Sequence, residues 1–193
     1  HAMALVHLGT GDSFEAEQKA TRAMYLDPTD AEHVELVSRI YKERGRTDLA
    51  VTALEQTLPR VDAKRSAPML TELGRLLQSQ REYNDARDKY VAAMKADTSY
   101  TPTLRSFAGL LKLTKQYAPA VSLYTRAVAQ EPKDIDSLVG LSESLREIGN
   151  AESAAKVARD ALAITSSRAD ARRAFVRAGL RCTDPATRAA AAK

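Results

Sequence analysis

Apolar and small residues in this chain recur in a regular register whose period is long enough for two short helices. Five alanines occupy the same place in a recurring phrase: Ala16, Ala50, Ala86, Ala120 and Ala154. Their successive sequence separations are 34, 36, 34 and 34. Further columns follow four and seven positions later, with Tyr90 and Tyr124 in the first and Ala93 and Ala127 in the second. Positions four and seven apart share one face of a helix. The register predicts a tandem helical repeat.

A second apolar helix precedes each of these alanines after the first. Its signature is a pair of large side chains one helical turn apart: Val37 and Tyr41, Leu73 and Leu77, Phe107 and Leu111, Leu141 and Leu145. Between the two helices of a unit lies Gly11, Gly45 or Gly149, where a left-handed residue would turn the chain. Arg81 and Lys115 fill this place in the middle units, so we expect those two turns to be built differently.

Each unit therefore consists of two helices and two turns, with Asp30, Asp134 and Asn150 as helix caps. A single unit cannot bury its apolar faces alone, so we expect an all-α fold, an α-solenoid of antiparallel helix pairs. In repeat two, Pro59 should end the second helix early, and two extra residues follow in 61–66. We predict one array over 1–193, with repeats at approximately 1–30 (partial), 31–66, 67–100, 101–134 and 135–168. Residues 169–193 form a capping helix pair or a truncated sixth repeat, and the opening residues suggest a fragment of a longer protein.

These columns resemble the tetratricopeptide repeat (TPR) family, and residues 101–134 match it best. The matching residues there are Phe107, Ala108, Leu111, Tyr117, Ala120, Tyr124, Ala127 and Pro132. The resemblance covers roughly residues 4 to 182. It implies a right-handed TPR superhelix whose first helices line a concave groove, and it implies protein binding as the function.

Composition and charge exclude several classes of protein. Apolar residues make up 44% and aromatic residues 5%, a balance that favours helices over strands. The net charge of +4 is too small for a dedicated nucleic-acid binder, so nucleic acid is an unlikely partner. Cys182 is the only cysteine, which excludes an intrachain disulfide and a cysteine zinc cluster. A reducing, cytoplasmic compartment is the simpler expectation. No apolar run approaches the ~20 residues of a membrane span.

No motif for catalysis or cofactor binding is present in the sequence. His1, His7 and His33 do not share metal-ligand spacing with carboxylates on one helix face. The run Gly9-Thr10-Gly11-Asp12 lacks the further residues of a dinucleotide or phosphate loop and is better explained as a turn. We therefore predict no enzyme activity, no catalytic residue, no metal and no cofactor.

Charged residues on the first helices are the candidate partner-binding site. Residues 169–193 carry six Lys or Arg against two Asp or Glu, and Arg173, Arg177 and Arg181 are spaced four apart. The hypothesis is that a basic groove receives an acidic segment of a partner protein, through Arg75, Arg105, Lys112, Arg146, Arg173, Arg177 and Arg181. The alternative is that these cations only keep the face soluble.

The asparagine content excludes one known specialisation of the family. The carboxylate clamp of Hsp70/Hsp90-type binding arrays needs asparagines on successive first helices. The chain has only Asn84 and Asn150, and both lie at the start of a second helix. The leading function is a scaffold or adaptor module of a multi-protein assembly. The alternative is a regulatory or substrate-recruiting TPR module attached to an enzyme, which the full-length sequence would distinguish.

Overall fold

The computed structural model describes residues 13–165 and 167–192, and within these ranges it contains eleven α-helices and no strand. The predicted all-α fold class is confirmed. The predictions for His1, His7 and Gly9–Asp12, and residues 1–12 of the partial first repeat, lie outside the described residues. The helices are α1 Ser13–Leu26, α2 Ala31–Glu43, α3 Thr47–Thr57, α4 Ala67–Ser79, α5 Tyr83–Ala96, α6 Thr101–Leu113, α7 Tyr117–Gln130, α8 Ile135–Glu147, α9 Ala151–Ile164, α10 Ala169–Gly179 and α11 Pro185–Ala191.

The chain folds into two compact units, the first reaching to Thr103 and the second beginning at Leu104, within α6. In the first unit, α2 packs on α1, α3 and α4, and α4 packs on α3 and α5. In the second, α8 packs on α7, α9 and α10, while α10 also packs on α9 and α11. First helices therefore contact second helices and the first helix of a neighbouring repeat, as in a stack of helix pairs.

The five alanines of the recurring phrase lie in the core. Ala16, Ala50, Ala86, Ala120 and Ala154 are all fully buried, as expected for small residues at helix contacts. Two tyrosines from second helices fill the space above glycines of first helices. A Cβ at Gly74 would lie 2.5 Å from Cε1 of Tyr90, and one at Gly140 would lie 2.3 Å from Cζ of Tyr124. The two contacts differ in place, because Tyr90 packs on the first helix of its own repeat, whereas Tyr124 packs on the first helix of the next repeat.

The turns at Arg81 and Lys115 correct the prediction that they are built differently. Arg81 has φ 67° and Lys115 has φ 61°, beside 67° at Gly45 and 86° at Gly149. The hydrogen bonds also match. The amide following Arg81 donates to the Leu77 carbonyl at 3.0 Å, as the amide following Gly149 donates to that of Leu145 at 2.9 Å. A closing hydrogen bond of this kind fixes each turn. The exposed Arg81 and Lys115 therefore adopt the left-handed conformation, at some cost in backbone energy.

Repeat two has the early helix end that Pro59 predicts. Helix α3 spans 11 residues, whereas α5 spans 14. Pro59 lies in the 3₁₀ turn Leu58–Arg60, and a second such turn, Ala63–Arg65, accommodates the extra residues. The predicted caps Asp30, Asp134 and Asn150 each accept a backbone hydrogen bond at the start of their helix.

Candidate functional site

In the first unit, the exposed sides of first helices α2 and α4 line a groove of about 720 Å³. The first helices turn polar residues to this side because their apolar residues are used against the second helices. Seven of its eight lining residues are charged: Glu32, Glu35, Arg39, Lys42, Glu43, Glu72 and Arg75, with Leu36 as the eighth. The charges are of both signs, so the groove is not simply basic.

Arg75, a predicted partner-binding residue, lies at the centre of an ion network in this groove. Its Nη1 lies 3.1 Å from Oε1 of Glu35 on α2 and 3.2 Å from Oε2 of Glu72 on α4. Glu72 is only 6% exposed. Burial raises the pKa of the Glu72 carboxyl above its ordinary value, although Arg75 opposes this effect. Arg75 therefore links two first helices and compensates a buried acid.

Three other charged residues of the groove differ from Arg75. Arg39, Lys42 and Glu43 are exposed on the last two turns of α2. Among the residues that the structure describes, none of the three takes part in an ion pair. Arg39 and Lys42 are three apart, so they lie on one side of the helix. They are the cations of the groove that remain available to a partner.

In the second unit, the predicted residues Arg105 and Lys112 on α6 both reach towards the next first helix, α8. Arg105 Nη1 lies 3.0 Å from Oδ2 of Asp134, the cap of α8, and Lys112 Nζ lies 2.6 Å from Oε2 of Glu143. Arg146 on α8 is paired with the adjacent Glu147. The structure thus gives a carboxylate of the chain itself to four of the seven predicted cations, counting Arg75.

The remaining predicted residues, Arg173, Arg177 and Arg181, are exposed on α10 and just beyond its end. Within the described ranges none of them forms an ion pair. The sequence prediction grouped all seven cations as one surface. The structure instead divides them into those paired within the chain and those on α10 that are not.

Sequence reasoning did not identify Asp134 and Glu143 as the partners of Arg105 and Lys112, although it recognised Asp134 as a helix cap. A signal for them existed. Arg105 and Asp134 are 29 residues apart, and Lys112 and Glu143 are 31 apart. Both separations are slightly shorter than one repeat, so they place opposite charges on neighbouring first helices, roughly one turn out of register.

In the described residues, no cluster of three His, Cys, Asp or Glu side chains is arranged to hold a metal ion. Cys182 is buried, with its Sγ 3.3 Å from the Ala151 carbonyl oxygen, and burial raises the pKa of its thiol. Over the same residues, no helix is both long enough and apolar enough to cross a membrane.

Comparison with solved structures identifies the fold. PilF of Pseudomonas aeruginosa is similar over 98% of this chain and 86% of its own, with a TM-score of 0.76 and 17% identity. YrrB, described as a TPR protein with an unusual peptide-binding site, is similar over 89% and 87%, with a TM-score of 0.65 and 17% identity. The first TPR of Spaghetti (RPAP3), bound to an HSP90 peptide, is similar over 61% and 93%, with a TM-score of 0.58 and 23% identity.

No protein-family model and no curated protein matches the sequence. At the identities given above, the likeness shows the fold alone. It confirms the fold that the repeat columns predict, a solenoid of antiparallel helix pairs of the TPR type.

Proposed function

We propose that this chain, which has the tetratricopeptide-repeat fold, is a scaffold or adaptor module that binds a segment of another protein along its first helices. The observation that carries the proposal is the groove of about 720 Å³ over α2 and α4. Its lining is charged, and the charges of Arg39, Lys42 and Glu43 are not used in ion pairs within the described part of the chain. Two of the similar structures, YrrB and RPAP3, are described by a peptide-binding site or a bound peptide, which supports this choice.

The groove favours a partner segment with acidic groups at one end. Arg39 and Lys42 lie together on α2 and would pair with carboxylates, while Glu43 beside them favours a basic group further along the segment. Arg75 contributes differently, because Glu35 and Glu72 already hold it. Its role is to keep the wall of the groove in place, so that little side-chain entropy is lost on binding.

Selection from a library of displayed random peptides tests this proposal. Selected peptides are titrated against the parent chain, against a groove variant with Arg39→Glu and Lys42→Glu, and against a control with Lys19→Glu and Arg87→Glu. The control makes the same change of net charge on exposed positions of second helices α1 and α5. The groove variant should bind at least about tenfold more weakly, equivalent to about 1.4 kcal/mol, and the control should bind like the parent. Equal binding by both variants would place the site elsewhere.

A further inference from the structure

Helix α10 leaves uncovered a face that the preceding first helix buries. In α8, Leu138 and Ser142 lie on this face and are 3% and 1% exposed. The Ser142 hydroxyl donates to the Ala154 carbonyl of α9 at 2.8 Å. The corresponding positions one repeat later are Arg172 and Val176, and both are exposed. Equivalent positions of the repeat are therefore buried in α8 and exposed to solvent in α10.

Helix α11 covers only part of α10. Its Ala191 lies against Gly179, where an added Cβ would be 2.5 Å from the Ala191 Cβ. Val176 stays 39% exposed and Leu180 stays 53% exposed. These two residues are four apart and lie on one side, so they form a small apolar surface.

Arginines run beside this apolar surface. Arg173, Arg177 and Arg181 form the neighbouring stripe, and Arg172 lies one turn before Val176. Their cations have no carboxylate partner among the residues described, although Arg172 donates to the Ser167 carbonyl at 3.3 Å. The nearby acid Asp170 is bound to Arg168, and Asp184 caps α11. Like charges four apart repel, so the stripe is slightly unfavourable until an anion binds.

We infer that α10 binds an acidic amphipathic helix of a partner protein. Val176 and Leu180 would contact its apolar side, while the arginines Arg173, Arg177 and Arg181 would form charge-assisted hydrogen bonds with carboxylates along its edge. This inference rests on the proposed function as a protein-binding module. It concerns a different surface from the groove of α2 and α4, so the two are tested separately.

The apolar pair favours a protein over nucleic acid or a lipid surface. On α10, the aromatic side chain Phe175 is half-buried, with the Arg159 guanidinium carbon 5.8 Å from its ring centroid, so it is not presented for base stacking. The opposite face of the helix is packed through Ala171, Ala174 and Ala178. Two apolar side chains are too few for insertion into a bilayer surface, but they are enough to anchor one turn of a partner helix.

The probe is a fluorescent helix-forming peptide with leucines four residues apart and glutamates along the adjacent stripe, compared with a scrambled peptide of the same composition. Fluorescence anisotropy is measured with the parent and with two variants. One carries Arg173→Glu and Arg177→Glu, and the other carries Val176→Ser and Leu180→Ser. A matched control carries Lys133→Glu and Lys156→Glu, both exposed and outside the arginine stripe. A DNA oligonucleotide and vesicles of phosphatidylcholine and phosphatidylserine are titrated in parallel, and circular dichroism checks that each variant is folded.

We expect the parent to prefer the amphipathic peptide to its scrambled form. Each of the two α10 variants should lose about tenfold or more in affinity, and the control should not. Equal affinity for both peptides, unchanged binding by the variants, or stronger arginine-dependent binding of the oligonucleotide or the vesicles would overturn the inference. The groove variant with Arg39→Glu and Lys42→Glu should still bind this probe. A failure at α10 therefore leaves the result for the groove unaffected.

Discussion

Helices α8 and α10 are first helices in the second unit, one repeat apart in sequence, yet they meet different surroundings. Helix α8 packs on α7, α9 and α10, and it buries Leu138, Ser142 and Leu145. Helix α10 packs on α8, α9 and α11, and Ala191 of α11 lies against Gly179 at its end. The residue types differ accordingly, because α10 carries the exposed Arg172 and Val176 at the positions where α8 buries Leu138 and Ser142. The repeat sets which positions share a face, and the neighbouring helices decide whether that face is core or surface.

The largest effect expected from this difference concerns two leucines. Leu138→Ala on α8 should lower the free energy of unfolding by about 2–5 kcal/mol, because it removes a buried side chain and leaves a cavity. Leu180→Ala, at the end of α10, should change it by no more than about 0.5 kcal/mol, since that side chain is already half in solvent. Urea unfolding followed by circular dichroism measures both. A large loss for Leu180→Ala would mean that the α10 face is part of the core.

A second pair of variants examines the covered side of α8 through Tyr124. Gly140→Ala places a Cβ 2.3 Å from the tyrosine ring, so we expect a loss of about 1–3 kcal/mol from overpacking. Gly109→Ala on α6 meets only the Tyr124 hydroxyl, at an ordinary contact distance of 3.6 Å. Alanine favours a helix over glycine, so this variant should gain up to about 1 kcal/mol. If both variants are destabilised alike, the ring does not pack as closely on α8 as the structure shows.

Much of the fold follows from sequence because the packing columns use residue types with clear physical roles. The spacing of Ala86, Ala120 and Ala154 predicted buried helix contacts, and Asp134 and Asn150 predicted helix starts. The turn at Lys115 was mispredicted, because residue preference at a left-handed position is weaker than the hydrogen bonds that close the turn. The residue preference at a left-handed position therefore indicates where a turn can form, but it does not determine the backbone conformation of that turn.

The candidate site was predicted less well than the fold. Listing the cations of first helices gave Arg105 and Lys112 the same status as Arg173 and Arg177. The difference depends on whether Asp134 and Glu143 come within reach on the next helix. An ion pair between neighbouring repeats forms only where two side chains can reach each other. The packing positions, in contrast, recur with the period of the repeat and can be read from the sequence. The sequence alone therefore could not separate charges that hold helices together from charges available to a partner.

The ends of the two helices provide a third, smaller contrast. Helix α8 ends at Glu147 and the left-handed Gly149 follows, whereas α10 ends at Gly179 and none of the described residues after it has a positive φ. Gly149→Ala should cost about 1–2 kcal/mol through backbone strain alone, because nothing lies within 4 Å of the added Cβ. Lys115→Gly, at the equivalent left-handed turn after α6, should gain up to about 1 kcal/mol. Thermal melts of the two variants should shift in opposite directions. A gain for Gly149→Ala would contradict the strained turn.

The smallest effect concerns the charges that distinguish the two faces. Glu143→Gln on α8 removes the ion pair with Lys112, whose atoms lie 2.6 Å apart and are about one-third exposed, so the cost should be about 0.2–1 kcal/mol. Arg173→Glu on α10 replaces a repulsion with Arg177 by an attraction four residues along the helix, which should stabilise the chain by about 0.2–0.5 kcal/mol. Both effects should shrink in high salt, since the groups are partly exposed. Unfolding in low and high salt, with Lys156→Glu as the control, measures them. If Arg173→Glu were as costly as Glu143→Gln, Arg173 would have a partner within the chain. The charge on α10 would then not be available to an acidic helix.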